Sequence, residues 1–137
     1  MATIHKEISI EASPAIAWDA LRDVGALHTR LVPGFAVAVE LRPGERIVTF
    51  ANGSVAREVI VSIDEEARRL VWTIVGGRLT HHNGAAQVIP DGPTGCRFVW
   101  TSDLLPDELA PLIEASMGQA MPIIKRTLEQ ASLSRPR

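Results

Sequence analysis

Residues 52–103 read as a succession of long β-type segments, broken at Asp64-Glu65-Glu66, at Gly76-Gly77-Arg78-Leu79-Thr80-His81-His82 and at Pro90-Asp91-Gly92-Pro93. Residues 55–63 and 70–75 are β-branched and aromatic, too continuous for an edge strand. Residues 87–89 and 96–101 continue the meander. From Asp107 the spacing changes: Leu109, Ile113, Met117, Ala120, Ile124 and Leu128 recur at three- and four-residue steps to about Gln130, one apolar stripe of a long helix. A curved sheet with a helix laid across its hollow encloses space. Pro111 falls near the first turn, whereas Pro122 lies mid-helix, where it removes a backbone bond and is expected to kink it.

The chain before residue 52 fits this plan. Ile4, Ile8 and Ile10 alternate with His5, Glu7, Ser9 and Glu11, the period of a half-buried first strand. Ser13-Pro14 then starts a helix, with serine as cap and proline at the first position. Ala17, Trp18 and Leu21 form its apolar face, Gly25 interrupts it, and a second short helical piece runs to about Leu31. Phe35, Val37, Val39 and Leu41 alternate with polar and small residues, and Pro43-Gly44 turns the chain into a strand at residues 46–50. Asn52-Gly53 is a strong hairpin dipeptide. The expected fold class is α+β: a curved antiparallel sheet of six to seven strands, two short helices after strand 1 and a long C-terminal helix. Residues 1–130 are read as one domain and residues 131–137 as a disordered tail.

At 137 residues the chain is large enough to bury a core without metal or disulfide support. Its formal charge of −2, with both signs interspersed, gives no basis for a nucleic-acid partner or stable membrane insertion, and no run reaches the ~18 apolar residues of a membrane span. Cys96 stands alone, which excludes an internal disulfide and suits a cytoplasmic location. No cofactor is expected. A homodimer is left open.

The order of elements resembles the helix-grip fold of the START-like (SRPBCC) superfamily, which includes polyketide cyclase and dehydratase-like proteins, the birch pollen allergen family and the plant abscisic acid receptors. The resemblance is carried by Ile10-Glu11-Ala12-Ser13-Pro14 leading to Trp18, by Arg57-Glu58 and Ile63-Asp64-Glu65, by Leu70-Val71-Trp72-Thr73-Ile74-Val75-Gly76-Gly77, and by Phe98-Val99-Trp100-Thr101-Ser102-Asp103-Leu104-Leu105-Pro106. It implies a cavity for a small hydrophobic or amphipathic molecule. Residues 58–84 are similar to the ligand-lining part of the hormone receptors, which places Glu58, Trp72 and His82 toward the cavity and makes closing loops of Asn52-Gly53 and Gly76-Gly77. The hairpin before Asn52 has no lysine, only Arg42 and Arg46, and the loop lacks the receptor's Ser-Gly-Leu-Pro pattern. Abscisic acid sensing is therefore not implied; a pocket is.

The expected lining is Glu58, Ile60, Trp72, Ile74, His82 and Trp100 from the sheet, with Ile113, Met117, Ala120 and Ile124 from the helix. An inward Glu58 is expected to have its pKa raised by desolvation, making it a donor or general acid/base; an outward Glu58 is salt-bridged across strands, with Arg57 turned in. His81 and His82 point to opposite faces, which argues against a two-histidine metal site. His82 is the one expected to face the hollow and titrate near physiological pH; a backbone-bonded histidine at a loop edge is the alternative. Trp18 reads as core. Trp100 is expected to face inward, because sharing its face with Cys96 and Phe98 leaves Arg97 outside. Lys6 shares the parity of the inward isoleucines and either meets an acid or a ligand anion, or reaches water. Met117 and Met121 suit an adaptable pocket or ordinary packing. No nucleophile elbow or phosphate loop is present. Binding or transport of an apolar ligand is the first reading. A cyclase or dehydratase with Glu58 and His82 as acid/base is the second, and a protein-interaction adaptor the third.

Overall fold

The computed structural model describes Met1–Ser134. Seven strands, β1 (Ala2–Ile10), β2 (Ala36–Arg42), β3 (Glu45–Phe50), β4 (Val55–Asp64), β5 (Arg69–Val75), β6 (His81–Asp91) and β7 (Gly95–Leu105), form one antiparallel sheet in the order β1-β7-β6-β5-β4-β3-β2. Strands β2 to β7 are a plain meander, and β1 joins its far side by pairing with β7 from Ala2↔Leu104 to Ile10↔Cys96. The expected α+β architecture is the observed one.

Between β1 and β2 lie α1 (Pro14–Arg22), a single 3-10 turn and α2 (Leu27–Arg30). The Ser13 hydroxyl accepts from the amide of Ile16 at 3.2 Å, satisfying one of the free amide groups of the first turn. Ala17, Trp18, Ala20 and Leu21 are the buried face of α1. Glu65, in the β4–β5 turn, holds the helix from the other side, accepting from Trp18 Nε1 at 3.0 Å and from Arg22 Nε at 2.6 Å. Trp18 is thus core with its indole nitrogen satisfied, as buried tryptophans require.

After a 3-10 turn at Asp107–Leu109, α3 (Ala110–Ser134) lies along β1 and touches α1. Lys125 Nζ donates to the Ser9 carbonyl at 2.7 Å, and the Glu11 amide donates to Glu129 Oε2 at 2.8 Å, so two polar contacts fix the helix across the end of β1. The helix passes through Pro122 and runs to Ser134 instead of ending near Gln130. Residues 131–134, expected as tail, are helical; Arg135, Pro136 and Arg137 lie outside the described residues.

The second departure is in β2. A register shift between Ala36 and Ala38 breaks the alternation, so Ala36 is buried while Val37 is 53% exposed. A bulge puts two residues opposite one and turns side chains to the other face. Strict parity across residues 35–41 therefore fails.

One large core cluster joins α1, the inner faces of β1 and β5–β7 and the C-terminal half of α3, through residues such as Ile10, Phe98, Leu70, Val88, Ile124 and Leu128. A smaller cluster of Ile4, Leu104, Leu109 and Met117 holds the start of α3. Partly buried Trp100 packs against both.

Candidate functional site

The inner face of the sheet carries Arg46 on β3, Glu58 on β4, His82 on β6 and Ser102 on β7 as its buried polar residues. Register aligns Arg46 with Glu58 and Glu58 with Ile74. Arg46 Nε donates to Glu58 Oε1 at 2.8 Å, and Arg46 Nη1 donates to the Val24 carbonyl at 3.2 Å. Both residues are nearly inaccessible, at 3% and 5% exposure. Glu58 therefore faces inward and Arg57 outward, where Arg57 pairs with Glu45 at 2.9 Å. The carboxylate expected as a lone buried acid instead has a guanidinium directly against it, as the cost of burying a bare charge demands. The sequence by itself marks Arg46 only as one of two arginines in a hairpin that has no lysine. The signal that would have found it is the short hairpin register, which sets residues 46 and 58 opposite each other.

The Arg46 guanidinium carbon also stands 6.0 Å from the centroid of the Trp72 ring. Trp72 lies across from Gly84 on β6, and a Cβ on Gly84 would fall 2.7 Å from Trp72 Cε2. Glycine is what lets the indole lie flat over the neighbouring strand. From there Trp72 reaches Trp100, ring centroids 6.2 Å apart at 50°. Trp100 does face inward, and Arg97 outward, paired with Glu7 at 3.3 Å. The indole nitrogen of Trp100 is buried and has no hydrogen-bond partner among the described residues.

His82 is buried and inward, His81 exposed, as alternation requires. Its Nδ1 accepts from the amide of Ile74 at 3.1 Å, while Thr73 Oγ1 donates to the His82 carbonyl. The ring is thus built into the β5–β6 junction, just beyond the last paired residues Trp72↔Gly84. Burial pushes its pKa down to about 4, the charge of His81 acts in the same direction, and Asp103 opposes them. Desolvation penalises the imidazolium, which runs against the sequence expectation of titration near physiological pH. An Nδ1 that accepts leaves the ring proton on Nε2.

Ile60 and Ile74, expected in the lining, are half-buried on this face, as are Phe35, Val39 and Phe50 around them. On the helix the expected set divides. Met117, Ala120 and Ile124 are each 1% exposed and packed into the core clusters, as is Met121; Ile113 stays partly open. Leu79, from the β5–β6 loop, packs with Ile113 against the smaller cluster, so the Gly76-Gly77 loop lies beside the start of α3. Asn52 and Gly53 form the β3–β4 turn, where Asn52 Oδ1 accepts from the Ser54 amide at 2.9 Å. Lys6 meets Glu114 of α3 at 3.4 Å, an exposed acid.

Two clefts lie away from this face. One of about 620 Å³ runs between α1, α2 and the last turns of α3, beside Ile16, Arg30, Arg126 and Gln130. Another, of about 230 Å³, lies on the convex side of β5–β7 at Asn83, Gln87 and Asp103. Among the described residues no three His, Cys, Asp or Glu side chains stand together as a metal site, and no helix is long and apolar enough to cross a membrane.

Known structures share this fold. A protein from Thermobifida fusca is 28% identical, with 96% of this chain and 93% of that chain covered and a TM-score of 0.77. Norcoclaurine synthase of Thalictrum flavum, a point mutant solved with a transition-state analogue, is 25% identical over 96% of each chain at a TM-score of 0.71. A START superfamily protein from Mycobacterium smegmatis is 14% identical, covers 96% of this chain and 97% of its own, and gives a TM-score of 0.72. No curated protein is similar enough to count as a match. The family model described as polyketide cyclase / dehydrase and lipid transport aligns with residues 1–134, so this chain belongs to that family.

Proposed function

We propose that this protein binds a small hydrophobic or amphipathic molecule on the concave face of the sheet, against Trp72 and Trp100 and under the start of α3. The observation that carries this reading is the buried Trp100 N–H, without a partner among the described residues, set beside Trp72 and the partly buried apolar residues of this face. A buried donor without an acceptor costs about 1–3 kcal/mol, and a ligand acceptor or an ordered water removes that cost. Few polar groups set in an apolar wall is the usual composition of small-molecule sites. The family's description, with lipid transport in its name, supports the same class of ligand. Access is assigned to the Gly76-Gly77 loop, where Leu79 and Ile113 are the side chains to be parted.

Binding is favoured over turnover by the state of the two candidate catalytic groups. The Nδ1 lone pair of His82 is engaged by Ile74, and Glu58 is ion-paired with Arg46, so neither stands as a free base. Buried, free Cys96 supports a reducing, cytoplasmic setting. An additional partner-binding role would use the open β2 edge, where Val37 and Leu41 are more than half exposed. Native mass spectrometry of freshly purified protein, paired with thermal-shift screening of aromatic and lipid probes, tests the main reading. A releasable mass adduct, or a probe that raises Tm through the wild-type chain and not through Trp72→Ala, is expected. A stable protein that carries no adduct and responds to none of the probes refutes it.

A further inference from the structure

Resting on the binding reading above, we infer that the ligand is uncharged and presents a hydrogen-bond acceptor, a carbonyl oxygen being the simplest, to the indole N–H of Trp100, with its apolar body against Trp72. Three observations carry this. The first is the Trp100 Nε1 group, buried and without a partner among the described residues, in an indole whose ring centroid lies 6.2 Å from that of Trp72. An indole nitrogen donates only, so the group that completes it must accept.

The second is that the cations on this face already have anions. Arg46 holds Glu58 at 2.8 Å inside the protein, and Lys6, opposite Trp100 in the β1–β7 register, is turned to Glu114 at 3.4 Å. A carboxylate ligand would have to be desolvated beside Glu58, and among the described residues no uncommitted buried cation stands on this face to meet it. The third is shape: with no side chain on Gly84, the Trp72 indole packs over that residue of the neighbouring strand and stands at 50° to the Trp100 ring, so the two indoles form an aromatic wall suited to a flat ring.

The test uses one ring system carrying three substituents on the intact protein: 2-acetylnaphthalene, 2-ethylnaphthalene and 2-naphthoate. Affinities are measured by titration, and the three tryptophan indole N–H signals are followed by proton–nitrogen NMR. The ketone is expected to bind about tenfold more tightly than the hydrocarbon, the contribution of roughly one hydrogen bond, and more tightly than the carboxylate. It is also expected to move the Trp100 indole proton downfield, and Trp100→Phe is expected to remove most of the ketone's advantage over the hydrocarbon. Equal affinity for ketone and hydrocarbon, or a carboxylate that binds as well as the ketone, overturns this inference and leaves the binding reading standing. Failure of all three to bind the folded protein overturns both.

Discussion

The amide of Ile74 donates to Nδ1 of His82 at 3.1 Å, so beyond Trp72↔Gly84 a side chain of β6 takes the place that a strand carbonyl would hold. Protonating Nδ1 would set donor against donor and break that contact. The junction where the β5–β6 loop leaves the sheet is therefore tied to the neutral state of one histidine.

Acid sensitivity follows from this. His82 has a folded pKa of about 4 against an ordinary value of 6.5, so between those values the unfolded chain takes up a proton that the folded chain refuses. Stability contributed by the neutral ring is intact above pH 6.5, declines as pH falls toward 4, and changes no further below it. The loss is on the order of 3 kcal/mol. Urea denaturation from pH 7 to 4 measures it, and His82→Gln should flatten the slope over that interval.

Filling the space over β6 should displace an indole. Gly84→Ala places a methyl 2.7 Å from Trp72 Cε2 and 2.8 Å from Cζ2, closer than atoms pack, so Trp72 or the strand must shift. A cost of about 1–3 kcal/mol is expected, with a change in tryptophan emission and loss of probe binding. Pairing it with Trp72→Leu should recover most of the stability but not the binding.

The buried ion pair should be asymmetric under mutation. Arg46→Met strands the Glu58 carboxylate and should cost about 3–5 kcal/mol, whereas Arg46→Met with Glu58→Leu removes both charges and should lie close to the wild type. A double-mutant cycle in urea gives the coupling. Arg46→Lys should not restore the wild type, since the guanidinium serves Glu58 and the Val24 carbonyl at once.

Two glycines should respond oppositely to alanine. Gly76 has φ +85° in the β5–β6 loop with open space around its Cβ position, so Gly76→Ala should cost about 1–2 kcal/mol through backbone conformation alone and slow probe exchange. Gly118 is exposed within α3 with nothing near its Cβ position, and Gly118→Ala should raise stability by up to about 1 kcal/mol. Thermal melts and stopped-flow binding distinguish the two effects.

Local chemistry was legible where it is short-ranged. The Ser13 cap, the Asn52-Gly53 turn, the long helix stripe and the outward Arg97 follow from the neighbouring residues, because caps, turns and parity are set within a few positions. The face of Glu58 is not fixed locally, because a one-residue slip in register exchanges the two faces of a strand, and the alternation of residues 35–41 fails at a bulge in β2 that only pairing between strands decides. Met117, Ala120 and Ile124 were placed on the right stripe, yet the stripe does not say whether it meets a ligand or the core. In the fold they meet the core.

By itself the sequence determined an antiparallel meander closed by a long helix, since periodicity and turn residues act locally and leave few ways to arrange the elements. Only tertiary structure decided that Arg46 neutralises Glu58, that Gly84 admits Trp72, that Ile74 engages His82, and that the buried N–H of Trp100 has no partner among the described residues. Each depends on side chains brought together from strands distant in the chain. Their energies arise from desolvation and contact, which no single segment contains.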